Sequence, residues 1–488
     1  MDTLIKNLPD SKKTLLRTIS KNDEEFDLIK KKGFYPYEMI TSSKMLYLPI
    51  GELKKEHFDN KLSLSKISDD DFKHVQNVIK TFGIKNFKEY HDLYLKIDVF
   101  GLRDVFEYHR ELSMTTYGLD PAHYIGLPQL TWDAGLKKTS IILDDLKDID
   151  MFMMFEKMKR GGVSVISHKY AKANNQYLPN YDETKKSTYL IQLDCNNLYG
   201  KSMSEKLPVN GFKYVDFLTE SFIQSYSYDT NDKGYVLEVD IDYPVELHDS
   251  HNDYPLAPEH MVIDKIKKLT PNLHDKKNYV LHIANLQYYL SMGMILKKIH
   301  KVIEFNHSDW LAKYINHNSL LRQKATNDFE KDFYKLMNNA FYGKTMENVR
   351  NRNNVQFCLD KEKFVKHTSS PLFANQVNVI QENGLALVKT YKRTVELNKP
   401  IYIGATVLDL SKLLMYKFHY QTMKVRFPES MMMKTDTDSL LYFVETDDLY
   451  QDLKEDPNIQ KQIEFSNYPK THPLYNCDRK KFVGLFPR

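Results

Sequence analysis

Two aspartates one residue apart, Asp436 and Asp438, lie in the run Lys434-Thr-Asp-Thr-Asp-Ser-Leu-Leu-Tyr-Phe443, with Met431, Met432 and Met433 before it and Val444 after it. The apolar residues on both sides read as strands, which makes this stretch a tight β-hairpin with the acids at its bend. Residues two apart on extended chain point the same way, so both carboxylates are expected to face one spot. Carboxylates aimed together repel unless a cation sits between them, and hard oxygen donors suit Mg²⁺. An acidic turn alone is common. It gains chemical meaning when the chain also supplies a further carboxylate and a place for phosphate.

Both are present. Ser187-Thr-Tyr-Leu-Ile-Gln-Leu-Asp194 reads as a strand ending in an acid, and Asn196-Asn-Leu-Tyr-Gly200 turns it into a short helix whose free N–H groups would suit a metal-bound triphosphate. Within residues 318–346, a single helix at about 100° per residue places Lys324, Lys331, Lys335 and Tyr342 on one narrow face. Three lysines in line with a ring suit a triphosphate below a base. The plainer reading is a solvated basic face, although Leu336, Met337 and Phe341 make a poor exposed helix and Gly343 would let another chain lie close. Arg160-Gly161-Gly162 opens a strand-like run, Val163 to Ile166; it is either a backbone that can approach a phosphodiester or a plain turn. Tyr94 and Asp98 share one helical face, and Leu95, Val99, Leu102 and Phe106 recur on another. A Tyr-x-x-x-Asp pair is one metal and water-positioning corner of a 3′–5′ exonuclease. It is also a common surface pair.

The rest of the chain bounds these readings. A length of 488 residues implies several domains, and 27% charged with 12% aromatic residues is a globular composition. The net charge is only +4, so any nucleic-acid footprint must be a local basic groove. Cys195, Cys358 and Cys477 are far apart, which fits a reducing compartment and excludes a Cys-rich zinc module. No apolar run approaches the ~20 residues that span a bilayer, and Met1-Asp-Thr-Leu-Ile-Lys-Asn7 lacks a signal-peptide apolar region; nucleus or cytoplasm is the expected compartment. Residues 1–110 read as mainly helical, with short helices at Phe26/Ile29 and from Asp70 and Asp71. Residues 117–133 read as a turn-rich connector. Tyr235 to Asp242 reads as a strand, and Tyr279 to Met294 as a strand followed by a helix. Val407, Leu410, Leu414 and Phe418 mark a buried helix between Gly404 and Met423, expected to pack under the hairpin's sheet.

Taken in order, Asp194-Cys-Asn-Asn-Leu-Tyr-Gly200, Lys335-Leu-Met-Asn-Asn-Ala-Phe-Tyr-Gly343 and Asp436-Thr-Asp-Ser439 resemble motifs A, B and C of family B DNA polymerases, usually DxxSLYP, KxxxNSxYG and DTDS. Asp253-Tyr-Pro-Leu-Ala-Pro-Glu259, the run from Tyr117 to Asp133 and the long gaps between motifs are similar to the protein-primed branch, of organellar, viral and Maverick/Polinton type. The resemblance implies an α/β fold: an antiparallel palm sheet with packed helices, helical fingers and a partial exonuclease-like domain. Its expected layout is 1–110 exonuclease remnant, 111–185 connector with the Arg-Gly-Gly element, 186–260 palm with motif A, 261–310 insertion, 311–350 fingers, 351–400 second insertion and 401–488 palm with motif C. It further implies a chain truncated at both ends.

Residue by residue, the resemblance makes Asp194 and Asp438, with Asp436 beside them, the catalytic carboxylates holding two Mg²⁺ ions, with Mn²⁺ as an alternative. It gives Tyr199 and Leu198, Lys335, Lys331 and Lys324, and Asn339 and Tyr342 to the incoming nucleotide. Arg160, Gly161, Gly162, Gly343, Thr437 and Ser439 would touch DNA, although arginine departs from the usual tyrosine spacing of the YxGG/A element. Tyr94 and Asp98 would be a remnant exonuclease corner. Asp23-Glu-Glu25 and Asn22-x-x-x-Phe26-Asp27 match its other two motifs formally, but they overlap in one segment and cannot supply two strands of ligands, so proofreading is expected to be absent. Motif A departs at Asn197, for serine, and at Gly200, for proline. No Lys-x-Tyr follows Ser439, so weak, salt-sensitive, distributive synthesis is expected without a thumb. The implied partners are template and primer DNA, dNTP and a terminal protein whose hydroxyl starts synthesis, with no membrane. The alternative is a decayed or co-opted fragment that binds DNA or nucleotide without synthesis; a reverse transcriptase or RNA polymerase palm is a further rival.

Overall fold

A computed structural model describes residues 2–60, 62, 64–216, 218–380 and 384–487. The chain divides into two compact units, Met1–Ala134 with Asn318–Met337, and Gly135–His317 with Asn338–Arg488. The stretch expected to form fingers is thus shared between them.

The first unit is helical and built on the helix Phe87–Tyr117. Its start is capped by Asn86, whose side chain accepts the Glu89 N–H, and Gly118 ends it in the left-handed region that glycine allows. The short helices Asp23–Ile29 and Asp69–Thr81 form where the sequence places them, burying Phe26, Ile29, Val75 and Val78. The recurring row Leu95, Val99, Leu102 and Phe106 does not mark the buried face of the long helix. Leu95, Val99 and Leu102 are half exposed, while Tyr90, Leu93, Ile97, Val105 and Tyr108 form the core. Two features of the buried face explain this. A Cβ on Gly101 would come within 2.7 Å of Ile5, so the helix there is closely approached. The buried Asp104 carboxylate accepts the Leu15 and Leu16 N–H groups and so caps the helix Thr14–Ile19. The buried face mixes Leu93, Ile97 and Val105 with Tyr90, Tyr108, a glycine and a capping acid, so an aliphatic row alone does not identify it. The expected connector is also partly helical, with a turn at Pro121–His123 and a helix Leu127–Thr139.

The lysine stripe is corrected as well. The helix Ala312–Lys324 stops, and a new one, Asp328–Thr345, begins. Asn327 accepts the Glu330 N–H at 2.9 Å while the Glu330 carboxylate accepts the Thr326 N–H at 3.1 Å. This reciprocal cap satisfies donors that a continuous helix would have bonded internally. Lys324 therefore lies on a different helix from Lys331 and Lys335.

The second unit contains the sheet that matters for the site. Its strands run in the order Ser164–Ile166, Met431–Asp436, Ser439–Glu445 and Thr188–Asp194, all antiparallel. A second antiparallel sheet has the order Leu207–Val215, Ile295–Ser308, Lys233–Asp242, Lys276–His282. A small sheet of Asn353–Cys358, Phe373–Ile380 and Leu385–Tyr391 carries the helix Lys361–Thr368. The unit is thus mixed α/β with antiparallel sheets. The helix Ile401–Lys417 is buried over most of its length and packs on the helices Ile149–Met158 and Leu198–Met203. It continues as a π-helical turn, Phe418–Met423, where His419 Nδ1 meets the Tyr442 hydroxyl at 3.0 Å and so ties this end to the hairpin. The proline-bearing loop 253–259 is buried, and three of its carbonyls need donors. Tyrosine hydroxyls supply them: Tyr420 to Tyr254, Tyr416 to Pro255 and Tyr279 to Pro258. Among the described residues no helix is long and apolar enough to cross a membrane.

Candidate active site

The strand Thr188–Asp194 buries Ile191 and Leu193 and exposes Gln192 and Asp194, so alternation puts the acid on the open face. Register then aligns the site. Asp194 lies opposite Ser439, Ser439 opposite Asp436, and Asp436 opposite Ser164. Residues directly opposite one another across a sheet share a face, so one row of four side chains crosses the sheet at the level of the hairpin bend. The bend differs from the expectation of continuous extended chain. Thr437 has φ +60°, and the Asp438 N–H bonds to the Asp436 carbonyl at 2.7 Å, closing a γ-turn. Positive φ is strained for a β-branched residue. The turn is held from outside by the Thr437 N–H, which donates to Val163 O at 2.8 Å, and by the Cys195 N–H, which donates to Asp438 O at 2.6 Å.

Gly162 makes room for this turn: a Cβ there would stand 2.3 Å from Thr437 Oγ1. Gly162→Ala should therefore destabilise the second unit by roughly 1–3 kcal/mol through overpacking and displace the bend. Thr437→Gly in the same chain should restore most of the loss, since it removes both the side chain and the strain. Urea midpoints of the single and double variants check this.

The buried Cys195 thiol is pushed well up, first by burial and then by the negative charges of Asp438 and Asp194. The Tyr199 and Tyr342 rings stack with centroids 5.0 Å apart and planes 13° from parallel. Burial raises the Tyr199 hydroxyl, and the Asp438 charge adds to this. Leu198 is buried, which leaves its backbone as the part able to meet a ligand. Asn197 adopts φ 50°, ψ 57° and accepts the Gly200 N–H at the start of the helix Leu198–Met203. Asn339 and Gly343 are exposed, and a Cβ on Gly343 would meet nothing within 4 Å.

Arg160 is corrected by its burial. Its guanidinium donates to Val280 O at 2.7 Å and lies 3.7 Å from the centre of the Tyr279 ring, with 7% of the residue exposed. The side chain braces the turn from behind and is not presented to a phosphodiester. Gly161, beside it, is exposed. Lys412, also buried, donates to Arg160 O at 2.5 Å and to Leu408 O at 2.8 Å, while Asp409 accepts the His282 N–H. Burial lowers the Lys412 ammonium to about 8, against the pull of Asp409.

Lys324, Lys331 and Lys335 belong to the first unit, whereas Asp194, Asp436 and Asp438 belong to the second. Lys331 pairs with Asp328 at 2.8 Å. In the first unit the Tyr94 hydroxyl meets that of Tyr37 at 2.8 Å, and Asp98 lies 3.5 Å from the Lys32 ammonium. Burial raises the Tyr94 hydroxyl, with Tyr37 and Asp98 adding to the shift. Among the described residues no three His, Cys, Asp or Glu side chains gather into a group that could hold a metal ion.

Sequence reasoning missed several supports of this site. Asp253 accepts the Met432 N–H at 3.0 Å and bonds His168 Nε2 at 2.7 Å, anchoring the hairpin's outer side. Glu464, 3% exposed, accepts from Asn196 Nδ2 at 2.5 Å. The available signal for Glu464 was a single acid between the apolar Ile463 and Phe465.

No family model matches the chain, and no curated protein sequence matches it. Among solved structures, Phi29 DNA polymerase complexed with primer-template DNA and incoming nucleotide aligns at TM-score 0.48 with 12% identity, covering 93% of this chain and 63% of that one. Its orthorhombic crystal form and its complex with single-stranded DNA align at TM-score 0.47 with 13% and 12% identity over the same shares. The chain thus spans 63% of the length of the polymerases it aligns with.

Proposed function

We propose that this chain is a DNA-directed DNA polymerase of family B, of the protein-primed kind, that joins dNTPs to a primer 3′-OH on a DNA template. The observation that carries the reading is the sheet register, which sets Asp194 level with the hairpin bend that bears Asp436 and Asp438. The stacked Tyr199 and Tyr342, both carried by matching motifs, support it. The organellar, viral or Maverick/Polinton branch, and the terminal protein as primer, are proposed from the motifs at 194–200 and 253–259 and the run from Tyr117 to Asp133.

The donor set fits magnesium, which keeps much of its water and takes one or two carboxylates together with substrate phosphates. Asp194 and Asp438 would hold it, with Asp436 adjacent. Bound there, Mg²⁺ or Mn²⁺ would supply Lewis acidity toward the primer hydroxyl and the charge on the leaving pyrophosphate. The chain's own residues do the rest by position. The sheet fixes Asp194, the γ-turn fixes Asp438, and the Tyr199 ring, backed by Tyr342, forms a wall that a deoxyribose can pass and a ribose 2′-OH cannot. Holding reactants in line is itself a large part of such catalysis.

The test is extension of a DNA primer on a DNA template, with dNTPs against rNTPs, in Mg²⁺ and in Mn²⁺. Template-directed incorporation of dNTPs is expected. Retention of DNA without incorporation under either ion would leave a DNA-binding protein in place of a polymerase.

A further inference from the structure

Beyond Asp194, strand becomes turn, and the backbone of that turn is fastened by residues far away in the chain. Asn196 donates its N–H to Leu485 O and accepts the Gly484 N–H on its own carbonyl, both at 2.8 Å. Its side-chain amide donates to the buried Glu464 carboxylate. The same carboxylate accepts the Lys481 N–H at 2.8 Å and the Ser466 hydroxyl. One acid thus joins three segments: the turn after Asp194, its own strand, and the strap 481–487.

The strap is seated along its length. Ile463–Glu464 and Phe486–Pro487 pair as parallel strands. Phe486 stacks on Phe418, the first residue of the π-helical turn, at 3.7 Å and 14°. Gly484, at φ +81°, lies against the Lys201 stem, where a Cβ would come within 2.7 Å. The neighbouring His419 is bonded to Tyr442 on the hairpin strand. The strap therefore grips the Asp194 turn on one side and, through the π-helical turn, the strand that follows Asp438 on the other.

We infer that Glu464 is a positioning residue, and that with the strap 481–487 it fixes the Asp194 carboxylate relative to Asp438. The inference deepens the polymerase reading and rests on it for what the carboxylates hold. Glu464 touches neither carboxylate; it acts through Asn196. Partners hydrogen-bonded directly to a ligand typically cost roughly 10–100-fold in metal affinity when removed, and Glu464, which reaches Asp194 through the Asn196 turn, is measured against that scale.

The experiment uses the full chain with Glu464→Ala, Glu464→Gln and Asn196→Ala. Two readouts are taken: hydrogen exchange of the amides in 194–203, and Mn²⁺ titration followed by electron paramagnetic resonance. Glu464→Ala should speed exchange at 194–203 at least about tenfold and weaken Mn²⁺ by roughly 10–100-fold. Glu464→Gln, which keeps an acceptor oxygen for Asn196 and Lys481, should restore both. Asn196→Ala, which removes the turn's half of the side-chain bond, should reproduce the local loss. Unchanged exchange and unchanged Mn²⁺ affinity in Glu464→Ala would overturn the inference. So would a rise in exchange throughout the second unit in both alanine variants, because that would make the role merely structural. If the wild-type chain neither extends primers nor binds Mn²⁺, the polymerase reading falls. Local exchange at 194–203 still decides whether Glu464 holds the turn.

Discussion

Asp194→Asn and Asp438→Asn should each lower primer extension by roughly 10³-fold or more, about 4 kcal/mol of lost transition-state stabilisation, while DNA binding stays close to wild type. Asparagine keeps the size of the side chain and one of its oxygens but removes the charge. The sheet around each position should survive. Asp194 sits on the open face of its strand, where asparagine fits the same alternation. Asp438 is tied to its neighbours through its backbone N–H and carbonyl, which the substitution leaves in place. Single-nucleotide incorporation under pre-steady-state conditions checks the rate, and a filter or fluorescence titration checks affinity. Asp436→Asn should cost less, since Asp436 lies one strand further from Asp194, with Ser439 between them in the row. Equal losses for all three would mean that the bend, and not the pair of carboxylates, is what the substitutions disturb.

Acid should unfold the second unit well above the pH at which carboxylates titrate. Burial lowers three of its histidines far below their usual range, His251 to about 4, His282 to about 3 and His419 to about 3. Each is also held by a specific bond. His251 Nδ1 meets the Tyr243 hydroxyl, His419 Nδ1 meets that of Tyr442, and His282 Nδ1 accepts the Ala284 N–H, which a protonated nitrogen cannot do. Because the folded values lie below the unfolded one, the unfolded chain binds more protons than the folded chain between pH 6.5 and about 4. Stability is therefore full above pH 6.5 and falls with pH through that window. Each histidine contributes up to ~1.4 kcal/mol per pH unit, so three together approach 4 kcal/mol per unit against a total of order 5–15. Urea midpoints at pH 7.5, 6.5 and 5.5 should drop steeply over the last step. His419→Phe, of similar shape, should remove about a third of the slope. A flat profile down to pH 5 would mean that these rings find water.

What the sequence shows directly is what short-range physics decides. The strand ending at Asp194 and the apolar strands flanking Asp436 and Asp438 follow from alternation and lie where alternation puts them. Other readings failed for identifiable reasons. A capping pair at Asn327 and Glu330 breaks a stripe that helical periodicity alone would continue through Lys324. On the long helix, the face with Tyr90, Leu93, Ile97, Gly101, Asp104 and Val105 is buried while the row Leu95, Val99 and Leu102 is half exposed, because Asp104 and Gly101 serve neighbours that come from the first residues of the chain. Arg160 looks like a surface cation until Val280 and Tyr279, far along the chain, close over it. Glu464 carries no local mark of its partner, since Asn196 is 268 residues away.

The two departures in the first motif, Asn197 and Gly200, have an evolutionary consequence. A Cβ on residue 200 would fall 2.1 Å from Asn197 Nδ2, and the N–H that Asn197 caps is the one a proline lacks. Asparagine also tolerates the left-handed conformation at 197 better than serine does. The pair is therefore epistatic. Placing proline at 200 while Asn197 remains creates both a clash and an orphaned acceptor, and placing serine at 197 alone puts a less tolerant residue in the left-handed conformation. A lineage crossing between the two motif forms meets a disfavoured intermediate whichever residue changes first. A consensus or ancestral reconstruction of this chain has to exchange positions 197 and 200 together.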